Sequence, residues 1–254
     1  KKGGVPLHVT YINFDEPLEN TFVAVNQKSG AVVTTGDVKK RRPDLLLYVN
    51  GIPVCICEFK TAIKEDVTIH DAWKQITVRY CRDIPGLMKY CFLSVISDGV
   101  NTRMGSIFSP YKHYYMWSKI NEKDMVSTGV SSLKTMIFGA LSRERICAII
   151  RDFIFFPDDS KKKEMVICRY PQFFATNKLL DSIRKNMRPK GDGKGGTYFG
   201  ATGCGKTYTM LFLARMLAKR DPEAFANPTV LVIVDREDLE SQTGEIFTSA
   251  KKYL

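Results

Sequence analysis

Residues 42–60 read Arg-Pro-Asp-Leu-Leu-Leu-Tyr-Val-Asn-Gly-Ile-Pro-Val-Cys-Ile-Cys-Glu-Phe-Lys, two apolar runs on either side of an Asn-Gly pair. This pattern is typical of a β-hairpin, because Asn and Gly tolerate the positive φ angles of a tight turn. Asp44 begins the first run, and Glu58 and Lys60 end the second. Glu58 and Lys60 are two positions apart and therefore point to the same face of a strand.

The length of the turn decides whether the carboxylates meet. With a two-residue turn at Asn50-Gly51, Asp44 would pair with Cys57, and Glu58 would lie on the opposite face. A type I turn followed by a Gly bulge would instead put both carboxylates and the lysine on one face. We therefore predict the odd-numbered turn, because a two-residue pairing kept along the whole hairpin would split the metal site and defeat the nuclease assignment.

Two carboxylates and a lysine in this arrangement suit metal-dependent cleavage of a phosphodiester. Asp44 and Glu58 can bind Mg²⁺, which acidifies a water molecule and shields the phosphate, and Lys60 can position or deprotonate that water. The alternative is a charged strand end without catalytic function, since the pattern is short.

Residues 200–207, Gly-Ala-Thr-Gly-Cys-Gly-Lys-Thr, fit the phosphate-loop pattern G-x-x-x-x-G-K-[ST] at every fixed position. Backbone N–H groups of such a loop, and the helix N-terminus after it, surround phosphates. Lys206 would reach the β- and γ-phosphates of ATP, and the Thr207 hydroxyl would hold Mg²⁺. The residues predicted to bind ATP here are Gly200, Thr202, Gly203, Cys204, Gly205, Lys206 and Thr207. A strand at 197–199 and a helix at 206–219 are expected around the loop.

Two flanking segments favour a motor. The apolar run 230–234 predicts a buried strand, and it resembles, with the polar residues after it, motif Ia of superfamily-two helicases, which touches DNA. Asp235, Arg236 and Gln242 are the predicted DNA contacts. Upstream, residues 169–172 resemble the element of such motors that reads adenine through the amide of a Gln, here Gln172.

The stretch 42–60, with Gln75, Tyr80 and residues 84–90, resembles the nuclease domain of type I restriction enzyme R subunits, a member of the PD-(D/E)xK nuclease superfamily. Segments 15–17, 25–27, 97–99 and 111–117 fit the same family, and the similarity continues from residue 197 to 242. The resemblance implies that Asp44 and Glu58 are metal ligands, that Lys60 is the catalytic lysine, and that Gln75 and Tyr80 support the site and contact DNA.

The Gln/Tyr pair departs from the family pattern, which has three intervening residues where this chain has four. Four would place Gln75 and Tyr80 about 140° apart around an α-helix. Gln75 is therefore the safer assignment, and either Arg79 or Tyr80 could complete the motif. His70 is expected to be an ordinary polar position rather than a metal ligand, and Trp73 a core residue.

The net charge of +11 favours a nucleic-acid partner, although each basic run (39–42, 161–163 and 185–194) could also be a solvated loop. The seven cysteines lie mostly in apolar segments, as expected of reduced thiols in a cytoplasmic protein. Cys55 and Cys57 are not expected to bind a metal ion, because the sequence has no second cysteine pair at zinc-binding spacing. No apolar run approaches the roughly 18 residues that cross a membrane.

We expect two α/β units. The first is a PD-(D/E)xK nuclease core over residues 1–156, a mixed sheet flanked by helices, in which 131–156 form a helical connection. The second, over 157–254, is the N-terminal part of a RecA-like lobe. The start at Lys-Lys-Gly-Gly and the lack of an Asp-Glu box predict a piece of a longer protein, which alone would bind ATP poorly and not hydrolyse it.

The resemblance implies an enzyme that pumps duplex DNA with ATP and cuts it with Mg²⁺ at unspecified sites. It also implies partners: a specificity subunit that reads the target, and methylase subunits that use S-adenosylmethionine. Two alternatives remain, a translocase whose nuclease fold is inactive and a nucleotide-gated DNA-binding module in which neither site turns over. The intact set of Asp44, Glu58 and Lys60 argues against the first, and the complete phosphate loop argues weakly against the second.

Overall fold

The computed structural model describes residues 10–27, 40–61, 68–158, 164–220 and 222–254. Its strands are β1 (Phe22–Asn26), β2 (Leu45–Val49), β3 (Ile52–Phe59), β4 (Leu93–Ser97), β5 (Thr102–Gly105), β6 (Ile154–Phe155) and β7 (Val166–Ile167). Its helices are α1 (Ile69–Lys74), α2 (Cys81–Asp83), α3 (Pro85–Met88), α4 (Ser132–Phe138), α5 (Arg143–Asp152), α6 (Tyr170–Asn186), α7 (Lys206–Lys219), α8 (Pro222–Phe225) and α9 (Glu237–Thr248). A π-helix, Gln75–Tyr80, joins α1 to α2, and 3-10 turns occupy Pro17–Glu19, Tyr111–His113 and Gly129–Ser131.

Five strands form one mixed sheet in the order β1-β2-β3-β4-β5. Neighbouring strands are antiparallel except β3 and β4, which run parallel. A parallel pair needs a long crossover, and α1, the π-helix, α2 and α3 supply it. The predicted α/β class, with a mixed sheet flanked by helices, is confirmed.

The alternation of side chains along each strand assigns residues to two faces. The face under the crossover helices carries Leu46, Ile56 and Ile96, and the other face carries Cys55, Cys57 and Val95, packed with residues of α4 and α5. Glu58 is two positions after Ile56 and therefore points toward the crossover helices, where it is 2% exposed. The sheet thus places the Glu58 carboxylate in the mainly apolar layer between the sheet and the crossover helices.

The turn between β2 and β3 differs from the prediction. Val49 pairs with Ile52, so the turn contains only Asn50 and Gly51, whose φ angles are 50° and 82°. Both angles are positive, as in the tight turn that Asn-Gly favours most strongly. The predicted odd-numbered turn is therefore wrong.

A β-bulge nevertheless restores the register that the carboxylates need. Tyr48 pairs with Pro53, whereas Leu47 pairs with Cys55, so β3 contains one extra residue at this point. Proline cannot donate to the ladder and is tolerated at such bulges. Beyond the bulge Leu45 pairs with Cys57, which brings the preceding residue, Asp44, level with Glu58.

The second half of the chain is mainly helical in its described ranges, 164–220 and 222–254. The helix predicted at 206–219 is present as α7, and the longer α6 precedes the phosphate loop. The strands predicted at 197–199 and 230–234 are absent from these ranges.

The run 230–234 shows why no strand forms there. Its side chains alternate, with Leu231 and Ile233 79% and 82% exposed, while Val230, Val232 and Val234 line a cavity against α7 and α9. No described strand lies beside the run to complete its backbone hydrogen bonds. An apolar, alternating segment without a neighbour cannot become part of a sheet.

One apolar core continues from the sheet into the second half of the chain. The ring of Phe153, after α5, lies 5.0 Å from that of Phe173 on α6 and 5.2 Å from that of Phe212 on α7. The division at residue 157 stays a prediction. In the described ranges no helix is long and apolar enough to cross a membrane. All seven cysteines are unpaired, and the basic run 161–163 and Lys39 lie outside the described residues.

Candidate functional site

Asp44 lies just before β2, opposite the end of β3. Its Oδ2 accepts a hydrogen bond from the backbone N–H of Phe59 over 2.7 Å. Its Oδ1 accepts one from the side-chain amide of Gln27. Both oxygens of this half-buried carboxylate are therefore oriented by donors, one on β3 and one just after β1.

Glu58 is buried beside Asp44 and is held by three side chains. Lys60 Nζ donates to Glu58 Oε1 over 2.8 Å, and Gln75 Nε2 donates to the same oxygen. The Tyr80 hydroxyl donates to Oε2 over 3.0 Å, and Lys60 Nζ also donates to Gln75 Oε1 over 2.8 Å. The structure thus brings all five residues predicted for the nuclease site into one cluster.

The π-helix is what brings Gln75 and Tyr80 together. In a π-helix the hydrogen bond spans five residues, so residue i+5 lies close to residue i. Gln75 begins this segment and Tyr80 ends it. The expectation that four intervening residues would separate the two side chains is wrong, because it assumed α-helical geometry. Arg79 is exposed, and His70 stacks on Trp73 with ring centroids 5.2 Å apart.

Burial raises the pKa of Glu58, and the Asp44 carboxylate raises it further, while the hydrogen bonds from Lys60 and Tyr80 act in the opposite direction. The pKa of Tyr80 is also raised, first by burial and then by the charge of Glu58. Tyr80 is therefore a neutral hydrogen-bond donor at ordinary pH. A buried carboxylate with a raised pKa and a second carboxylate beside it favours a cation.

The donor set fits a divalent cation. An ionised carboxylate offers about four lone-pair sites, of which hydrogen bonds use two on Asp44 and three on Glu58. Each carboxylate keeps room for a metal ion. Mg²⁺ is commonly held by one or two carboxylates, with water completing its shell. Across the described residues no group of three or more His, Cys, Asp or Glu converges, so the site would rest on these two.

The 200–207 loop leads directly into α7. Gly203 and Gly205 have φ angles of 75° and 81°, which glycine adopts without strain. Gly205 is the N-cap of α7, so the first N–H groups of the helix open toward the loop. Lys206 Nζ donates to the carbonyl of Gly200 over 2.9 Å. The lysine therefore lies folded over the loop to which phosphates are predicted to bind.

A cavity of about 750 Å³ opens beside this loop. The loop residues that line it are Thr202, Gly203, Gly205, Lys206 and Thr207. Two of the predicted ATP contacts, Gly200 and Cys204, do not line it; the Cys204 Sγ lies 2.9 Å from where a Cβ on Gly200 would stand. The cavity is within the range of small-molecule sites, roughly 300–1,000 Å³.

Gln172 is buried at the start of α6 and ties this helix to the loop. Its Oε1 accepts from the Arg169 N–H over 2.8 Å, and its Nε2 donates to the Gly205 carbonyl over 3.2 Å. Both ends of the amide are thus bonded to the protein. Reading adenine would require the amide to exchange these partners.

The three predicted DNA contacts fall into two groups. Gln242, on α9, lines the cavity beside the phosphate loop. Asp235 and Arg236 are exposed ahead of α9, and Arg236 forms a surface ion pair with Asp238 over 3.2 Å. Of the three, only Gln242 lines this cavity.

Gln27 had no role in the prediction, and the structure places it on Asp44. Segment 25–27 contributed to the family resemblance, but residue 27 acquires its position from the pairing of β1 with β2, in which Asn26 lies opposite Leu45. Sequence patterns do not predict which strand pairs with which.

Known protein families match two parts of the chain. Residues 1–113 match the type I restriction enzyme R protein N terminus family (HSDR_N), and residues 171–253 match the SWI2/SNF2 ATPase family. The first part contains the carboxylate cluster, and the second contains the phosphate loop.

Relatives extend the similarity over nearly the whole chain. The type I restriction enzyme HindI endonuclease subunit of Haemophilus influenzae is 32% identical over 249 residues, covering 97% of this chain and 23% of the relative. A Methanocaldococcus jannaschii protein that carries the name of the MjaIXP endonuclease subunit is 29% identical over 260 residues, covering 95% of this chain and 24% of the relative. The chain thus spans about a quarter of the length of the curated relatives it matches.

These matches place the molecule in the class of restriction endonuclease subunits with an ATPase-like segment after the nuclease-type sheet. The chain belongs to the type I restriction enzyme R protein family.

Proposed function

We propose that the chain provides the nuclease site and the beginning of the motor of an ATP-dependent DNA endonuclease. The nuclease unit would extend over residues 1–156 and the motor unit over 157–254. The observation that carries the proposal is the 2.8 Å contact of Lys60 with Glu58, in a cluster where Asp44 faces the same carboxylate. Duplex DNA as substrate agrees with a net charge of +11.

In the nuclease site each side chain has a separate task. Mg²⁺ held by Asp44 and Glu58 would acidify a water molecule and offset the charge of the scissile phosphodiester. Lys60, within hydrogen-bond distance of Glu58, can hold the attacking water and stabilise the charge that develops on the phosphate. Gln75 and Tyr80 fix the Glu58 carboxylate, so that its free lone pair keeps one direction.

In the motor unit ATP would bind in the cavity beside the phosphate loop. Lys206 would leave the Gly200 carbonyl for the β- and γ-phosphates, Thr207 would hold Mg²⁺, and Gln172 would contact adenine. Hydrolysis by the whole protein would then drive duplex DNA past the nuclease, with Asp235, Arg236 and Gln242 near the DNA backbone.

Similarity to type I restriction enzyme subunits is the reason to propose two kinds of partner subunit. A specificity subunit would read the target sequence, and methylase subunits using S-adenosylmethionine would protect it. Cleavage would occur at sites that the nuclease itself does not specify.

Lysine substitutions in the full-length protein, assembled with its partner subunits, test the proposal. With unmethylated plasmid, ATP and Mg²⁺, Lys60→Ala should abolish cleavage and leave ATP hydrolysis intact. Lys206→Ala should abolish both, because cutting depends on prior pumping. Loss of one charge-stabilising contact commonly costs about a hundredfold or more in rate. Lys74→Ala, an exposed lysine on α1, is the matched control and should cut normally.

The outcomes separate the three candidate functions. ATP-dependent double-strand breaks lost in Lys60→Ala support the proposal. ATP hydrolysis without breaks in the unsubstituted protein would favour a translocase with an inactive nuclease fold. Neither activity, with DNA binding that responds to nucleotide, would favour a binding module. Breaks made by Lys60→Ala at the normal rate would contradict the nuclease assignment.

A further inference from the structure

The Asp44 carboxylate depends on a residue outside the nuclease motif. One of its oxygens is fixed by the backbone N–H of Phe59, which any residue at position 59 except proline would supply. The other is fixed by the side-chain amide of Gln27. The orientation of Asp44 is therefore sensitive to the identity of residue 27.

Two interactions bring Gln27 to this position. In the antiparallel pairing of β1 with β2, Asn26 lies opposite Leu45, so the next residue along β1 lies across from Asp44. The guanidinium of Arg42 donates to the backbone carbonyl of Gln27, which anchors the chain just beyond the strand.

The same contacts connect Gln27 to the other half of the cluster. The Tyr80 hydroxyl, which donates its proton to Glu58, also lies 3.4 Å from the backbone carbonyl of Arg42. Gln27 therefore stands to Asp44 as Gln75 stands to Glu58: in each case a glutamine amide donates to one oxygen of a carboxylate.

Charge explains why an amide is suited to position 27. Asp44 already raises the pKa of Glu58, and a third carboxylate at position 27 would place one more like charge beside this pair and remove the donor that orients Asp44. An amide N–H stabilises the ionised form of Asp44 and occupies one lone pair, leaving others free. Partners of this kind typically change metal affinity about 10- to 100-fold when they are removed.

We propose that Gln27 is a positioning residue of the metal site, which holds the Asp44 carboxylate so that Asp44 and Glu58 can share one divalent cation. The inference rests on the proposed nuclease function. It predicts an effect on metal binding that is measurable without DNA, without ATP and without cleavage.

The experiment is a Mn²⁺ titration of the full-length protein in the absence of nucleotide. Gln27→Ala should weaken Mn²⁺ binding by about tenfold or more while the melting temperature without metal stays unchanged. Val23→Ala, an exposed position on β1, controls for damage to the strand and should bind Mn²⁺ normally.

The outcomes separate this inference from the proposed function. If Asp44→Ala abolishes Mn²⁺ binding and Gln27→Ala has no effect, Gln27 is not a positioning residue and the metal site stands. If Asp44→Ala also leaves binding unchanged, the metal site itself is wrong. Equal losses of affinity and melting temperature in Gln27→Ala and Val23→Ala would assign Gln27 a merely structural part, which overturns the inference.

Discussion

The Gln75 side-chain amide donates a hydrogen bond to the Tyr80 hydroxyl over 2.7 Å, across five positions of sequence. The backbone between them is a π-helix, in which the repeating hydrogen bond encloses one residue more than in an α-helix. The extra residue is thus absorbed by the backbone, and both side chains reach Glu58. A local change of helix type preserves the geometry of the cluster.

Deleting one residue from the π-helix should therefore leave the cluster intact. Val78 is 54% exposed and contributes little to the core. Without it three residues separate Gln75 from the tyrosine, and in an α-helix positions i and i+4 share a face, so cleavage by the full-length protein should stay within about threefold of the unsubstituted rate. Plasmid cleavage measures this. A variant that folds by circular dichroism but cuts as poorly as Gln75→Ala would show that the π-helix has a purpose of its own.

The hairpin shows how far sequence patterns predict this site. Alternation and the Asn-Gly pair predicted the two strands, because both signals are local, but the common face of Asp44 and Glu58 was predicted only through an odd-numbered turn. The predicted turn length was wrong. The two-residue turn forms, and an extra residue between Pro53 and Cys55 brings Asp44 level with Glu58 instead. A bulge depends on packing across the sheet, which a single strand's sequence does not specify.

The motor half shows the opposite case. The helix after the phosphate loop was predicted correctly, since helices make their hydrogen bonds within one segment. The run 230–234 carries the apolar pattern of a strand, yet strands need neighbours, and no described segment pairs with it. Gln27 was not predicted as part of the site, because its contact with Asp44 also depends on which strands pair.

The raised pKa of Glu58 predicts a pH dependence for metal binding. The ordinary value is 4.5, and because the pKa is higher here, the proton competes with a cation at a higher pH than at an exposed Glu. Mn²⁺ affinity should therefore fall as the pH drops from neutral toward the raised pKa of Glu58. Tyr80→Phe removes a hydrogen bond that lowers the pKa of Glu58, so it should move the midpoint to still higher pH. Titrations from about pH 4 to 8 measure the midpoint.

Tyr90→Phe is the matched control for that shift. Tyr90 is 48% exposed and lies on the surface after α3, and its replacement should leave the midpoint unchanged. An identical midpoint in Tyr80→Phe and the unsubstituted protein would show that the Tyr80 hydroxyl does not stabilise the charge of Glu58.

Gly205→Ala should damage the phosphate loop twice over. The φ of 81° is unfavourable for alanine by about 1–2 kcal/mol, and the new Cβ would lie 2.3 Å from Gln172 Nε2. ATP affinity of the full-length protein, followed with a fluorescent nucleotide, should fall by about tenfold or more, in line with roughly 1.4 kcal/mol per factor of ten. Gly196→Ala, where a Cβ meets nothing within 4 Å, should bind ATP normally; an equal loss there would point to general loop damage.

The last prediction concerns the buried ion pair that anchors the phosphate-loop helix. Arg220, the C-cap of α7, contacts Asp152, the last residue of α5, over 2.7 Å. The Asp152 side chain is only 1% exposed, and burial raises its pKa despite the arginine. Removing one partner of a buried pair typically costs about 3–5 kcal/mol. We expect Arg220→Ala to lower the free energy of unfolding by about 2–3 kcal/mol. The loss is below the typical range because Arg220 is 23% exposed and because Arg151 and Arg215 also favour the charge of Asp152.

The pH dependence of this loss identifies its cause. Without Arg220 the folded-state pKa of Asp152 rises further, so the variant keeps its stability below the ordinary carboxyl pKa and loses it as the pH rises. The gap between variant and unsubstituted protein should therefore widen from acidic to neutral pH. Hydrogen exchange of the α5 and α7 amides in the full-length protein measures it. Combining Arg220→Met with Asp152→Asn removes both charges and should recover most of the loss. A gap that is independent of pH, or no recovery in the double variant, would mean that the arginine stabilises α7 by packing rather than by its charge.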